Sequence, residues 1–251
     1  MKMERVPTGI TGLDPLIEGG FPRGRTVLLS GGCGTGKSIF AMQYIYEGAS
    51  KYDEPGVYVT MDERPETTRQ DMLRFGWDIK ALEDAGKIII LDLTAGKIGV
   101  ASDEKYSVSE GLDVDRLILK IMQTAGEIGA KRLVVDSLPS LGFHLKDEDE
   151  IRNMILKLTY MIRKSDLTAV LISEIPEQSL GGGPMMFSKF GVEEYVADSV
   201  ILLHYLGIGT DSNRTLYIRK MRGTKHAEDI IPMQISEQGI KLTNPEDAFQ
   251  V

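Results

Sequence analysis

Five short segments of nearly continuous apolar character recur along this 251-residue chain, and longer stretches with helical spacing separate them. The segments lie at residues 26–30, 56–60, 87–91, 132–136 and 168–173. Apolar residues on both sides of a strand are typical of a parallel sheet that is covered on both faces. Between the segments, apolar residues recur at helical spacing over residues 37–49, 112–129 and 148–164. This alternation predicts an α/β fold in which helices cover both faces of a mostly parallel central sheet.

The pattern changes near residue 196, where strand-like segments follow one another more closely. These segments lie at residues 200–203, 215–219 and 231–235, with Gly, Asp and Asn between them. Close spacing of this kind predicts an antiparallel extension of the same sheet. Two polar stretches, residues 96–111 and 178–191, are predicted to be loops. No shift in composition marks a linker, so residues 1–251 are expected to form a single domain.

Composition excludes several classes of protein. Hydrophobic residues make up 42% of the chain and charged residues 26%, which is the balance of a globular protein and not of a disordered one. The single Cys33 cannot form an internal disulfide, and the longest apolar runs fall short of the roughly 20 residues that a membrane span requires. We therefore expect a cytoplasmic protein without membrane contact. The net charge of −8 argues against nonspecific binding to duplex DNA.

A glycine-rich segment follows the first apolar strand and precedes a predicted helix. Residues 31–38 read GGCGTGKS and fit the phosphate-loop pattern G-x-x-x-x-G-K-[ST]. Glycines let consecutive backbone N–H groups surround phosphate oxygens, and the next helix adds its positive N-terminus. We expect Lys37 to reach the β- and γ-phosphates of ATP and the Ser38 hydroxyl to bind Mg²⁺. The predicted nucleotide contacts in this segment are Gly34, Thr35, Gly36, Lys37, Ser38 and Ile39.

Acidic residues follow two of the predicted strands. Asp136 ends the segment at residues 132–136, where its carboxylate can hold a metal through water or, alternatively, cap a turn between strand and helix. Asp62 and Glu63 follow the strand that begins at residue 56, and hydrolysis requires a carboxylate near the γ-phosphate. The residues alone leave a second interpretation, in which both are solvated acids before a helix that opens at Pro65.

Several motifs together resemble a known family. They are TGITGLD at residues 8–14, GGFPRG at 19–24, YVTMDE at 58–63, FGWD at 75–78 and KMRGTKH at 220–226. With the phosphate loop, they resemble one domain of the KaiC family within the RecA/RadA-like ATPases, from Thr8 to about Leu242. The resemblance implies a RecA-like P-loop fold and an ATPase that assembles into a ring, commonly a hexamer, with ATP at the subunit interfaces. Proteins of the KaiC type carry two such domains in tandem, whereas this chain has one.

The resemblance also assigns residues. Asp62 and Glu63 correspond to the family's catalytic acidic pair, which acts with Lys37; either acid can be the residue that activates water, and Glu63 is the stronger chemical match. Phe75, Gly76 and Trp77 fall where the family lines the base and ribose of the nucleotide, although Trp77 can equally be a core aromatic.

A second set of residues is implied to reach the nucleotide of the neighbouring subunit. This set comprises Lys220, Met221, Arg222, Thr224 and His226. A cation supplied in this way stabilises the charge on the transferring phosphoryl group and is worth ~10³–10⁵ in rate. Without the resemblance, the same stretch would be interpreted as a solvated basic strand end. The chain has Glu228 where the family has a further lysine, with Lys225 nearby.

One departure from the family concerns phosphorylation. Glu194 and Tyr195 occupy the positions of the Ser-Thr pair that is phosphorylated in the second domain of KaiC. We therefore expect no Ser/Thr autophosphorylation of the clock type at this place. The three histidines lie far apart and have no cysteine or carboxylate at ligand spacing, so a zinc site is not expected.

Three functions compete at this point. The first is a ring-forming regulatory or signalling ATPase that uses ATP and Mg²⁺ and whose protein client the sequence does not name. The second is an ATP-dependent protein that binds single-stranded DNA through the loop at residues 178–191. Lys189 is the one basic residue of this loop, so binding of nucleic acid is possible but not favoured. The third is a scaffold that binds ATP without hydrolysing it.

Overall fold

The computed structural model describes residues 3–108, 113–142, 145, 147–176, 186–205 and 214–243. Its strands are β1 (Arg5–Val6), β2 (Phe21–Pro22), β3 (Thr26–Gly31), β4 (Gly56–Thr60), β5 (Ile88–Asp92), β6 (Arg132–Asp136), β7 (Thr168–Glu174), β8 (Ser199–Tyr205), β9 (Arg214–Met221), β10 (Ile230–Ser236) and β11 (Gly239–Leu242). Its α-helices are α1 (Lys37–Lys51), α2 (Pro65–Leu73), α3 (Ile79–Asp84), α4 (Thr94–Ile98), α5 (Val114–Glu127), α6 (Leu138–Leu141), α7 (Glu148–Lys164) and α8 (Glu193–Val196). A 3₁₀ helix spans Asp14–Ile17.

The central sheet has the strand order β11-β10-β9-β8-β3-β7-β6-β4-β5 among the described strands. The six strands from β8 to β5 are parallel, and β9, β10 and β11 continue the sheet in antiparallel pairing. Helices α1 and α3 pack in one apolar cluster, and helices α5 and α7 in another. The predicted α/β class, with its mostly parallel sheet and antiparallel C-terminal extension, is confirmed.

The extension begins one strand later than the sequence predicted. Strand β8 was expected to be antiparallel, but it pairs in parallel with β3, where Val27 lies opposite Ser199 and Gly31 opposite Leu203. Antiparallel pairing starts only between β8 and β9. The chain crosses between β7 and β8 over about 24 residues, which is long enough for the crossover that parallel strands require. The apolar pattern of β8 carries no information about strand direction.

Helix boundaries follow local capping. Helix α7 has the predicted bounds because the Asp147 carboxylate accepts a hydrogen bond from the Asp149 backbone at 2.9 Å. Helix α5 starts after Asp113, which caps it in the same way. The predicted loop at residues 96–111 is wrong at its start, because α4 extends to Ile98. Of the second predicted loop, residues 178–185 lie outside the described residues.

The N-terminal edge of the parallel strands is closed by buried charges. The Arg132 guanidinium is fully buried, lies 2.7 Å from Glu54 and stacks 4.5 Å from the centre of the Tyr44 ring. Glu54 also accepts from Arg23 at 2.8 Å. These ion pairs link the residues just before β3 and β4 to the first residue of β6. Among the described residues, no helix is both long enough and apolar enough to span a bilayer.

Candidate nucleotide site

Four parallel strands bring the predicted site residues to one edge of the sheet. Gly31 at the end of β3 lies opposite Glu174 at the end of β7, and Thr60 at the end of β4 lies opposite Asp136 at the end of β6. In open α/β sheets, ligands bind in the crevice outside the carboxyl ends of the strands. The chain therefore collects the phosphate loop and its acidic residues where such a crevice lies.

The phosphate loop depends on glycines for close approach and for left-handed backbone conformations. A Cβ atom on Gly31 would lie 2.6 Å from the Leu203 carbonyl oxygen, and Gly34 and Gly36 have φ angles of 70° and 98°. The Thr35 hydroxyl donates to the Gly32 carbonyl at 2.9 Å. Helix α1 then begins at Lys37, so its free N–H groups face the loop.

Lys37 is folded back over the loop. Its ammonium donates to the carbonyl oxygens of Gly31 and Gly32 at 3.0 and 2.8 Å. Burial lowers the pKa of Lys37, and the carboxylates of Glu174 and Asp136 offset part of this effect. A phosphate oxygen placed here would replace weak carbonyl partners with charge-assisted hydrogen bonds.

Asp136 lies beside the hydroxyl that was predicted to bind Mg²⁺. The carboxylate accepts a hydrogen bond from the Tyr58 hydroxyl at 2.5 Å. Burial raises the pKa of Asp136, and the hydroxyls of Tyr58 and Ser38 together with Lys37 oppose the shift. Oxygen donors of this kind suit Mg²⁺, which commonly keeps water and takes further ligands from phosphates. In the described ranges, no group of three His, Cys, Asp or Glu side chains could hold a metal ion.

The two members of the acidic pair have different surroundings. The Asp62 carboxylate is half exposed and is held by the Lys97 ammonium at 2.7 Å and the Ser140 hydroxyl at 2.6 Å. Within the described part of the chain, the Glu63 carboxylate accepts one side-chain hydrogen bond, a long one of 3.4 Å from the Thr68 hydroxyl. Burial raises the pKa of Glu63, and the nearby carboxylates of Asp71 and Asp136 raise it further. Asp62 is therefore held as an ion pair, whereas the charge on Glu63 is poorly compensated.

The aromatic residues predicted at the base lie mainly in the core. Phe75 and Trp77 are buried with ring centroids 4.8 Å apart, and Trp77 stacks on Tyr46 at 5.6 Å. Gly76, between them, is exposed with a φ of 73°. The core interpretation of Trp77 thus describes its packing, and a role of these three residues toward the base stays a prediction.

Two arginines that the sequence analysis missed flank the phosphate loop. A cavity of about 460 Å³ is lined by residues 34–39 together with Arg74, Arg214 and Ile235. The Arg214 guanidinium donates to the Gly34 carbonyl at 3.2 Å and lies 4.1 Å from the centre of the Tyr205 ring. Arg214 begins β9, and its approach to the loop depends on the antiparallel register of β9 with β8. No local motif in the sequence could have indicated it.

The residues predicted to act in trans lie at the opposite end of the same strand. Arg214 pairs with Tyr205 near the phosphate loop, whereas Met221 pairs with Ser199 at the far edge of the sheet. Seven extended steps from Arg214 to Met221 separate these ends by about 23 Å. Lys220 and the residues after it therefore point away from the phosphate loop of their own chain.

Within the protomer, these residues have internal partners. The Lys220 ammonium donates to the carbonyls of Glu194 and Ala197, and burial lowers its pKa. The Met221 side chain is buried, the Thr224 hydroxyl accepts from Arg5 at 2.7 Å, and His226 Nδ1 lies 2.9 Å from the Ala227 carbonyl oxygen. Arg222 is exposed. Lys220 and Arg222 therefore supply the cations of this set.

Comparisons with known proteins agree with the motifs. The family model of the ATPase KaiC matches residues 6–247. The UPF0273 protein MJ1359 of Methanocaldococcus jannaschii is 40% identical over 241 residues, which cover 95% of this chain and 96% of that protein. The circadian clock oscillator protein KaiC of Parathermosynechococcus lividus is 36% identical over 235 residues, which cover 94% of this chain. The chain spans only 41% of the length of that relative.

A solved structure shows the same architecture. The crystal structure of the KaiC-like protein PH0186 from Pyrococcus horikoshii OT3 has a TM-score of 0.82 and 40% sequence identity with this chain. The match covers 97% of this chain and 100% of that one. The predicted family resemblance is confirmed by both kinds of comparison.

Proposed function

Because this chain belongs to the KaiC family of ATPases, we propose that it binds ATP with Mg²⁺ and hydrolyses it between neighbouring copies in a ring. The observation that carries this proposal is the separation along β9. The phosphate loop and Arg214 lie at one end of that strand, and Lys220 and Arg222 lie at the other. A nucleotide that needs both groups must lie between two copies. We place the ring, a hexamer as is common in the family, in the cytoplasm and assign it a regulatory role.

The phosphate loop would hold the triphosphate through backbone N–H groups and Lys37. The Ser38 hydroxyl and the Asp136 carboxylate would hold Mg²⁺, with Asp136 acting through water. The metal would supply charge neutralisation on the phosphates. Tyr58 fixes the Asp136 carboxylate by donating to it at 2.5 Å.

Glu63 is proposed as the residue that orients and deprotonates the attacking water. A general base must be free to accept a proton, and burial together with like charge raises the pKa of Glu63 towards the range that suits this task. Asp62 instead anchors the turn, because it pairs with Lys97 on α4. The Thr94 hydroxyl on α4 donates to the Glu63 carbonyl at 3.2 Å and holds the same turn.

The surface around Arg222 supports association of copies. A groove of about 600 Å³ between α7 and α8 is lined by Leu156, Tyr160, Tyr195 and Arg222, among others. Tyr160 is 65% exposed and Tyr195 71%. Exposed aromatic surface next to cations is typical of protein interfaces.

Titration of nucleotide into a matched pair of variants tests this function. Lys37→Ala is expected to lose Mg·ATP binding measured by calorimetry, because the loop loses its only side-chain cation in residues 31–38. Lys80→Ala, which removes an exposed lysine paired with Asp84, is the control and should bind as the wild type does. Unchanged affinity in Lys37→Ala would contradict the assignment of the loop.

A further inference from the structure

A carboxylate that the proposed site does not use is buried at the start of α8. Glu193 is 1% exposed, and among the described residues no lysine or arginine forms an ion pair with it. Three groups donate to it instead: the Ser173 hydroxyl at 2.9 Å and the backbone N–H groups of Phe190 and Val192 at about 3.2 Å, while the Ser188 hydroxyl lies between the carboxylates of Glu193 and Glu194. An unpaired carboxylate is costly to bury unless donors surround it, so the surroundings of Glu193 are specifically built.

These donors connect α8 with the strand beside the phosphate loop. Ser173 lies near the end of β7, directly opposite Ser30, which precedes Gly31 in β3. The backbone N–H of Ile175 donates to the Gly31 carbonyl at 3.2 Å. The Ser173 hydroxyl, which donates to Glu193, therefore belongs to the segment that borders the first residue of the loop.

The other end of α8 holds the two cations that were predicted to act in trans. The Lys220 ammonium donates to the carbonyl oxygens of Glu194 and Ala197 at 2.8 and 2.7 Å, and the Arg222 guanidinium donates to the Tyr195 carbonyl at 3.2 Å. All three carbonyls belong to α8 or the residue after it. The carbonyls of this one short helix and the residue after it therefore hold the Lys220 ammonium and the Arg222 guanidinium at the end of β9.

We infer that Glu193 is a positioning residue, which fixes α8 against the end of β7 and thereby holds Lys220 and Arg222 toward the nucleotide of a neighbouring copy. This inference rests on the proposed function, since it presumes that these cations act in trans. It adds a connection within each protomer, from the strand beside its own phosphate loop to the cations that it offers to the next copy. Glu193 belongs to neither the phosphate loop nor the acidic pair, so its effect on turnover would pass through Lys220 and Arg222.

Turnover of the assembled protein with Mg·ATP tests the connection. Glu193→Gln keeps the shape of the side chain but replaces one acceptor oxygen with a donor that faces other donors. We expect kcat to fall about 10- to 100-fold, the loss typical of a catalytic group displaced by about 1 Å. Binding of Mg·ATP by the phosphate loop should stay within about twofold of wild type. Glu150→Gln, on the exposed first turn of α7, makes the same charge change and should leave turnover unchanged.

A double-mutant cycle separates positioning from general loss of structure. In a background of Lys220→Ala and Arg222→Ala, adding Glu193→Gln should change turnover by less than about twofold, because its effect passes through the missing cations. Ser173→Ala removes one donor without touching the carboxylate, and it should lower kcat in the same direction. Thermal unfolding, recorded for every variant, identifies any that does not fold.

The outcomes distinguish this inference from the proposed function. If the wild-type protein shows no Mg²⁺-dependent turnover, the proposed function fails and the inference falls with it. If the wild type is active but folded Glu193→Gln or Ser173→Ala keeps full kcat, the positioning role alone is wrong. A full additional loss from Glu193→Gln in the background without Lys220 and Arg222 would likewise overturn it.

Discussion

The two edges of the parallel sheet treat charge in opposite ways. At the N-terminal edge, burial opposes the ionisation of two acids, but hydrogen bonds outweigh it and lower their pKa values. The pKa of Glu54 is lowered by hydrogen bonds from Arg23, and that of Asp198 by hydrogen bonds from Thr26 and Arg163. At the C-terminal edge, burial raises the pKa of Asp136 and Glu63.

This difference separates acids whose charge is compensated within the protein from acids whose charge a bound ligand would compensate. A buried acid with cationic partners stabilises the folded protein, whereas one without enough partners is destabilised until something binds. The C-terminal edge also lowers the pKa of its own lysine, Lys37, by burial. The triphosphate and Mg²⁺ together would supply the missing charge of both signs.

The largest expected effect concerns catalysis at the C-terminal edge. Glu63→Gln should lower turnover of ATP by about 10²–10⁴, the contribution typical of a general base. Binding of Mg·ATP and the unfolding temperature should change little, because Glu63 has few stabilising contacts. Steady-state kinetics and calorimetry on the same preparation measure both, with exposed Glu66→Gln as the control. Turnover retained in Glu63→Gln would assign the base elsewhere.

The matching change at the N-terminal edge should affect stability instead. Glu54→Gln leaves the buried Arg132 guanidinium without its anionic partner, and breaking such a pair costs about 3–5 kcal/mol of unfolding free energy. Urea denaturation measures this loss, while affinity for Mg·ATP should not move. A loss below about 1 kcal/mol, the level of exposed pairs, would show that the network contributes little.

Removal of a cation beside the phosphate loop is expected to have a smaller effect, on nucleotide binding. Arg214→Ala should weaken Mg·ATP binding about tenfold, because a hydrogen bond from a charged group contributes about 1.5–3 kcal/mol and this one is shared with the Gly34 carbonyl. Arg116→Ala, at an exposed position on α5, serves as the control for nucleotide titration. Equal affinities in the two variants would remove Arg214 from the site.

The smallest expected effect is a gain in stability, whereas Glu54→Gln lowers stability. An acid whose folded pKa is raised contributes stability at pH values below its unfolded pKa and loses that contribution as the pH rises through its folded pKa. Asp136 is such an acid, so Asp136→Asn should raise the unfolding temperature of the nucleotide-free protein at pH 7 by about 2–4 °C, or roughly 1 kcal/mol.

The pH dependence checks that sign. The stability advantage of Asp136→Asn over wild type should shrink as the pH falls from about 7 to 4, because the wild-type carboxyl becomes protonated. The pKa of Glu54 is lowered, so the stability disadvantage of Glu54→Gln should persist down to about pH 4.5 and shrink only below it. An Asp136→Asn protein that is less stable than wild type at neutral pH would contradict the account.

Much of this contrast could be predicted from the sequence. The phosphate loop, Asp136 and the acidic pair were predicted at the ends of strands because each follows an apolar segment directly, and parallel strands bring such ends to one edge. The choice between Asp62 and Glu63 could not be predicted, since it depends on Lys97 and Ser140, which are 35 and 78 residues from Asp62.

Contacts between residues far apart in the sequence could not be predicted either. Arg214 reaches Gly34 across 180 residues, and that contact follows from the register of β9 rather than from any motif. The buried state of Glu193 depends on donors from β7 and from residues 188–192, although its sequence shows two adjacent acids that would ordinarily be solvated. Strand direction and side-chain partners of this kind are properties of the fold as a whole.

Mixing two variants with complementary defects tests the central claim, that one copy supplies the phosphate loop and the next supplies the cations. Lys37→Ala lacks the loop function but keeps its cations, and Arg222→Ala has the reverse defect. In equal mixed rings, roughly a quarter of the interfaces would join an intact loop to an intact Arg222, so turnover should recover to a measurable fraction of wild type. Turnover equal to the sum of the two separate variants, in rings shown by mass to be mixed, would contradict a shared site.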